Sequence, residues 1–383
     1  LNKTTFKVGI VCYPSVGGSG VVASNLGNEL AKLGHEVHFI SYEQPFRVNL
    51  NLPTMHFHKV NITPYELFKY PDYTLPLAVT IGEVQKRYNL DVVHVHYAVP
   101  HATAALLACG MLKQNNIPRP KVITTLHGTD ITLLANDPNL YSIIKYSIEK
   151  SSGVTTVSQS LKNETIQTLE TKKPIEIIYN FYNPVPPSKD ADLVRKSLKI
   201  KKRDFVALHM SNLRAVKRIP DLLAIASEFR DNPTFKLLIL AGGDFNQFSA
   251  EVKRLKLEKC LIVRKNVLDI ENYINIADCG IYTSGNESFG MGILETMSYG
   301  KPVLATRAGG VPEVMRDGLD GFLLDVGDVK GFTTKLKMFI EDKTVRENMG
   351  RSAGLQAATK FSTNIIVQQY LDYYCQIMAQ KNE

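Results

Sequence analysis

Short apolar runs rich in β-branched residues recur along the chain, and between them apolar positions repeat every three or four residues. In the first half, 7–12 (KVGIVC), 36–41 (EVHFIS), 92–97 (VVHVHY), 121–127 (KVITTLH), 153–158 (GVTTVS) and 175–180 (IEIIYN) are predicted strands. Several are apolar almost throughout, as strands covered on both faces must be. The stretch 20–34 (GVVASNLGNELAKLG) is a predicted helix stopped by Gly34, and the next strand follows within a few residues. Strand–helix alternation of this kind builds a doubly wound parallel sheet.

The second half repeats the rhythm with predicted strands at 205–211, 236–243, 261–266, 279–284, 302–306 and 321–325. Between the halves, 180–192 (NFYNPVPPSKDAD) has the prolines and polar residues of a linker or hinge. The last stretch, 361–380 (FSTNIIVQQYLDYYCQIMAQ), is a predicted amphipathic helix. At 383 residues the chain exceeds what one hydrophobic core usually serves. The expectation is α/β: a Rossmann-like domain at 1–183, a second at 184–360, and a helix at 361–383 packing back on the first.

Composition narrows the class. Hydrophobic residues at 44% and charged residues at 21% are ordinary for a soluble globular protein, and no apolar run is long enough to span a membrane. The start, LNKTTFKVGIVCYP, enters a strand with no leader-like apolar segment. Five scattered cysteines make no disulfide framework, so a reducing, cytoplasmic setting is expected. The net charge of +8 draws attention to the basic run 195–203 (RKSLKIKKR). That run has no interleaved aromatics and no nucleic-acid motif beside it; it reads as a solvated face, with no nucleic-acid partner and little reason for membrane-surface contact.

Candidate chemistry begins at Cys12–Gly27. Gly18-Ser19-Gly20-Val21-Val22-Ala23 fits the dinucleotide fingerprint, which would make the chain a nicotinamide-dependent oxidoreductase. Yet Tyr13 to Val16 separate the strand from the first glycine, and no Gly-Lys-Ser/Thr follows for a P-loop. What remains is an anion-binding helix start, with amides at Gly18 and Ser19.

The stretch Ser284–Met315 (SGNESFGMGILETMSYGKPVLATRAGGVPEVM) is sharper. Glu287 precedes a predicted helix start at Phe289, Gly290, Met291, Gly292 and Ile293, and Glu295 follows within it. Helix-start amides suit a diphosphate, and each carboxylate suits a sugar or ribose diol.

Glu287-x7-Glu295 followed by GKPVLAT..GG.PE resembles the retaining glycosyltransferases of family four, over nearly the whole chain. The resemblance implies the GT-B architecture, two doubly wound domains facing a cleft, and a nucleotide-sugar donor. It places Glu287 on the transferred sugar, Glu295 on the ribose and Gly309-Gly310 near the donor. The family's Arg-x4-Lys pair maps to Asn212 and Lys217, with Arg214 two residues on, so either Arg214 or Asn212 takes the basic phosphate contact. Lys217, Arg214, Glu287 and His127 are the implied catalytic residues. The implied chemistry is front-face substitution with no essential metal or other cofactor. Zinc on His94, His96 and His101 is not expected, because no acidic or cysteine cluster in the sequence completes that set.

First-domain phrases (VGGSGVVASNLGNELAKLGHEVHFISYEQPFR, DVVHVHYAVPHA, TTLHGTDIT) and SNLRAVKR resemble a narrower branch. That branch moves GlcNAc from UDP-GlcNAc to the hydroxyl of L-malate, opening bacillithiol biosynthesis. The resemblance implies that Gly18, Ser19, Tyr97, His127 and Thr129 hold the acceptor, Gly18 lying also near the donor. Inositol phosphate, a lipid or a polysaccharide remain alternative acceptors, and a homo-oligomer remains open.

Overall fold

The computed structural model describes residues 5–15, 18–62 and 72–380. Val16 and Gly17, inside the glycine-rich turn, lie outside the described residues. Two compact units emerge: one runs to Asn180 and takes in the chain from Thr363 onward, and the other is Phe181–Ser362.

The first unit holds a seven-stranded sheet in which every pairing is parallel. Its strands are β1 Lys7–Val11, β2 Glu36–Ser41, β3 Met55–Lys59, β4 Val92–His96, β5 Lys121–Leu126, β6 Gly153–Thr156 and β7 Glu176–Ile177, in the order β3-β2-β1-β4-β5-β6-β7. The chain winds outward from β1 to β3, then returns to lay β4 on the other side of β1. The loops leaving β1 and β4 therefore diverge at a topological switch point, where open α/β sheets bind ligands.

The second unit repeats the plan with β8 Phe205–Ser211, β9 Phe235–Ala241, β10 Leu261–Lys265, β11 Cys279–Tyr282, β12 Val303–Thr306 and β13 Gly321–Leu324. Its order, β10-β9-β8-β11-β12-β13, puts the switch point between β8 and β11. Alternation along β8 shows why these strands read as unbroken apolar runs. Phe205 and Ala207 join a core with helices Ile219–Ser227 and Val329–Glu341, while Val206 and Leu208 join a second core with helices Ala191–Ser197 and Ile270–Ile276. Both faces are covered, so both sets are apolar.

In β4 only one face follows that rule. Val93 and Val95 pack into an apolar core, whereas His94 and His96 are fully buried on the other face. The helix Thr363–Ala379 supplies one polar partner there and another to β6. The Tyr374 hydroxyl lies 2.7 Å from His94 Nδ1, and the Tyr373 hydroxyl accepts from the Val154 amide at 2.9 Å.

β3 is the strand that the hydrophobic pattern missed. Met55-His56-Phe57-His58-Lys59 is too polar to read as a buried run, and it forms the half-exposed edge of its sheet. The basic run at 195–203 is not all solvated face either. Arg195 is partly buried and donates to the carbonyls of Ile276, Lys201 and Asp204. Among the described residues no helix is long and apolar enough to cross a membrane.

Candidate active site

At the second unit's switch point, the loop leaving β8 meets the loop leaving β11. Lys217 Nζ donates to Glu287 Oε1 at 2.5 Å, with 15% and 16% of the two side-chain surfaces exposed. Ser284 Oγ donates to the same oxygen at 2.8 Å. The backbones are stitched as well: Gly285 N donates to Val216 O at 2.7 Å, and Thr283 Oγ1 to Lys217 O at 3.1 Å. From the other side, Thr306 Oγ1 donates to Ser284 O at 2.5 Å and Gly310 N to Glu287 O at 2.7 Å. A sheltered pair of this kind adds little net stability, because desolvation offsets its Coulomb attraction. What it does is hold an ammonium group in one place.

The turn after β8 is set by a buried histidine. His209 Nδ1 faces Ile281 O at 2.8 Å, its Nε2 lies 2.8 Å from Ser211 Oγ, and that oxygen accepts from Leu213 N at 3.3 Å. Burial pulls the His209 pKa down to about 4, so the ring stays neutral. With its amide carbonyl turned toward the guanidinium, Asn212 accepts from Arg214 Nε at 3.0 Å and Nη2 at 3.3 Å. The two candidates for the phosphate contact are thus one hydrogen-bonded unit.

Gly290, at a φ of 96°, opens the helix Met291–Ser298, and neither a capping side chain nor a first-turn acid neutralises that end. The leading amides of a helix have no intrahelical acceptor, so those of Met291 and Gly292 are suited to an anion. One expected free amide is corrected. Ile293 N is already spent on Gly290 O at 3.0 Å, and its side chain is buried. Phe289 is turned inward, its ring meeting Phe361 edge-on at 5.6 Å. Glu295 is half-buried within the same helix.

In the first unit, Gly18 (φ 59°) leads into helix Ser19–Lys32, again with neither a side-chain cap nor a first-turn acid. Gly20 has a steric cause of its own. A Cβ there would lie 2.7 Å from Tyr13 O and 2.6 Å from Ser15 O, so the glycine lets its own preceding loop fold against the helix start.

After β4 and β5, aromatic rings gather. Tyr97 (φ 87°) has its ring centroid 5.3 Å from that of His127, and Tyr13 lies 4.5 Å from His101. His127 Nε2 is 2.8 Å from His96 Nδ1, leaving Nδ1 as the ring atom able to meet a ligand. His94 has both nitrogens engaged, by Tyr374 and by Thr125 Oγ1 at 2.6 Å, which leaves it no lone pair for a metal. Thr129 begins the short helix Thr129–Thr132, half-buried. Asp130, fully buried, accepts from Gly128 N at 2.9 Å and Ala98 N at 3.4 Å, tying the two loops together. Tyr13 is not singled out by the sequence, because its position carries no spacing signal. Ser284, Thr283 and His209 were missed for the same reason.

This cluster predicts a pH dependence. Burial depresses His94 to about 3, His101 to about 4 and His127 to about 3. Unfolded, each would titrate near 6.5. Below that pH the unfolded chain binds more protons, so stability present above pH ~6.5 is lost on acidification, by about 1.4 kcal/mol per pH unit per net proton. Asp130, pushed up to about 6 by burial, works the other way between its unfolded value and pH 6, but it is one group against three. Thermal unfolding from pH 8 to pH 5 should show a falling Tm; a flat or rising profile contradicts this reading.

Two family models match the chain: "Glycosyltransferase Family 4" over 16–185 and "Glycosyl transferases group 1" over 190–355. The chain is 40% identical over 374 residues, 97% of each protein, to the N-acetyl-alpha-D-glucosaminyl L-malate synthase of Bacillus anthracis. Among solved structures it resembles a glycosyltransferase of Rickettsia africae (TM-score 0.81, 22% identity, all of both chains). It also resembles Anabaena HepE in complex with UDP and glucose (TM-score 0.79, 21% identity, 97% of this chain and all of that one).

Proposed function

The chain belongs to the family-four glycosyltransferases of the GT-B fold, and from that premise we propose that it transfers GlcNAc from UDP-GlcNAc to the hydroxyl of L-malate with retention at the sugar. The observation that carries the substrates is the match, at 40% identity over 97% of each chain, to the N-acetyl-alpha-D-glucosaminyl L-malate synthase of Bacillus anthracis. Transfer breaks the bond between C1 and the UDP oxygen and forms one between C1 and the malate hydroxyl oxygen. The hydroxyl proton passes to the departing phosphate oxygen on the same face.

In this reading Lys217, the Asn212–Arg214 unit and the amides of Met291 and Gly292 stabilise charge growing on the leaving diphosphate, with no metal required there. Glu287, already holding Lys217, accepts from sugar hydroxyls, and Glu295 from the ribose. The acceptor's carboxylates fall to the uncapped helix start at Gly18 and Ser19 and to the hydroxyls of Thr129 and Tyr97. His127 offers its Nδ1 to the sugar. Malate is a small dianion, and two unneutralised helix ends favour anions.

The test is product mass and anomeric configuration after incubation with UDP-GlcNAc and L-malate, with and without EDTA. An α-linked GlcNAc–malate product, undiminished by EDTA, is expected. UDP release without a malate adduct would leave the donor chemistry and overturn the acceptor. Loss of product in EDTA would overturn metal independence. Stabilisation by NADH and not by UDP would overturn the donor as well.

A further inference from the structure

On the edge strand β3 and its neighbour β2, away from the loops described above, a second group of side chains converges. β2 and β3 pair in parallel with His38 opposite His56. Glu36 and His38 alternate along one face of β2, as His56 and His58 do along β3, so the pairing brings three imidazoles and a carboxylate together. Three of these offer ligand atoms within 4.8 Å of one another: Glu36, His38 and His56.

We propose that Glu36, His38 and His56 bind one divalent transition-metal cation of the zinc class, with His58 orienting His38 and water completing the coordination.

The donor set fits the ion. Two imidazoles and one carboxylate with an open fourth position is a recurrent zinc arrangement, and imidazole-rich sets disfavour magnesium and calcium. Ligand atoms around a tetrahedral zinc lie roughly 3.3 Å apart, from bonds of about 2.0 Å. His38 Nε2 is already 3.1 Å from Glu36 Oε1, and His56 Nε2 is 4.0 Å from it. The remaining contraction falls on the two movable side chains, since Glu36 and His56 are 30% and 38% exposed while His38 is fully buried.

His38 is also held as a metal ligand needs to be. Its Nδ1 lies 2.9 Å from His58 Nε2. With the Nδ1 proton donated to His58, the Nε2 lone pair is left to face Glu36 Oε1; such an outer partner fixes tautomer and ring angle at metal sites. Lys7 does not fill the position. Its ammonium contacts the other carboxylate oxygen, Glu36 Oε2, at 3.2 Å and donates to Tyr88 O at 3.2 Å, so Oε1 is the oxygen turned to the imidazoles. Beside the cluster an open hollow of about 310 Å³, lined in part by Gly34, Glu36, Thr54 and His56, admits an ion and its water. A bound cation would clip the polar edge strand β3 to β2.

The experiment uses the full chain without a histidine tag, stripped with EDTA. Calorimetric titration with Zn²⁺ and the visible absorption of bound Co²⁺ report stoichiometry and geometry. One ion per chain and a Tm raised by about 5 °C at a hundredfold excess over Kd are expected. His56→Gln and Glu36→Gln should each weaken binding at least about tenfold, and His58→Gln by about 10–100-fold through His38 alone. All three variants should keep the wild-type circular dichroism and the transferase turnover, which separates a lost ligand from a lost fold. Absence of stoichiometric binding at micromolar Zn²⁺ overturns the proposal. So does an affinity unchanged in both His56→Gln and Glu36→Gln, which would send the ion elsewhere.

Discussion

Replacing Lys217 by alanine should lower turnover about 10²–10³-fold, the usual cost of removing one preorganised donor from a transition state that gathers charge. The Tm should stay within a few degrees, because a part-exposed ion pair contributes little to folding. The expected signature is a split. If the ammonium acts on charge that grows as the sugar–phosphate bond breaks, kcat falls far more than UDP affinity. Removal also frees Glu287, whose Oε1 then keeps the Ser284 hydroxyl as its donor. Lys217→Arg tests the geometry, since a planar guanidinium does not replace a point charge 2.5 Å from a carboxylate. Steady-state rates with UDP-GlcNAc and malate, beside calorimetry with UDP, supply the measurement. A turnover within about threefold of wild type for Lys217→Ala would remove the lysine from the chemistry.

Much of this architecture is legible in the sequence because parallel strands covered on both faces leave a strong apolar signal. That signal fails where the physics differs. β3 is an edge strand with a half-exposed face, so His56, His58 and Lys59 break its hydrophobic run. The donor motif announces Glu287 and Lys217, but not the hydroxyls that fix them. Thr283 and Thr306 act through contacts between strand ends far apart in sequence, which no local spacing encodes, and Ser284 reaches Glu287 only through the fold of its own loop. Phe289 and Ile293 belong to the same motif yet face the core, since a motif fixes sequence position and not side-chain direction. The fingerprint at Gly18–Ala23 misleads for a related reason. Its second glycine is demanded by Tyr13 and Ser15 of its own loop, a steric need that resembles a pyrophosphate's. The zinc-class cluster stayed hidden because it assembles only when β2 and β3 pair in register.

Gly309→Ala should cost about 10²-fold in turnover although residue 309 need touch no substrate. Gly309 sits at a φ of 55°, and a Cβ there would lie 2.1 Å from Glu287 O and 2.6 Å from Asn286 Oδ1. Relief to an ordinary contact requires roughly 1 Å of movement, and misplacement on that scale costs about 10²-fold in a positioned site. The Glu287 carbonyl cannot yield freely, because it accepts from Gly310 N at 2.7 Å, and its side chain carries Lys217 with it. Backbone strain alone predicts a different result. A non-glycine residue at positive φ costs about 1–2 kcal/mol wherever it occurs. Gly318→Ala supplies that control, with a φ of 74° and nothing within 4 Å of the added carbon. Both variants should lose Tm, but only Gly309→Ala should lose turnover at a temperature where both remain folded. Equal activities would mean that the Glu287 loop tolerates displacement, and that the carboxylate is not held in place for catalysis.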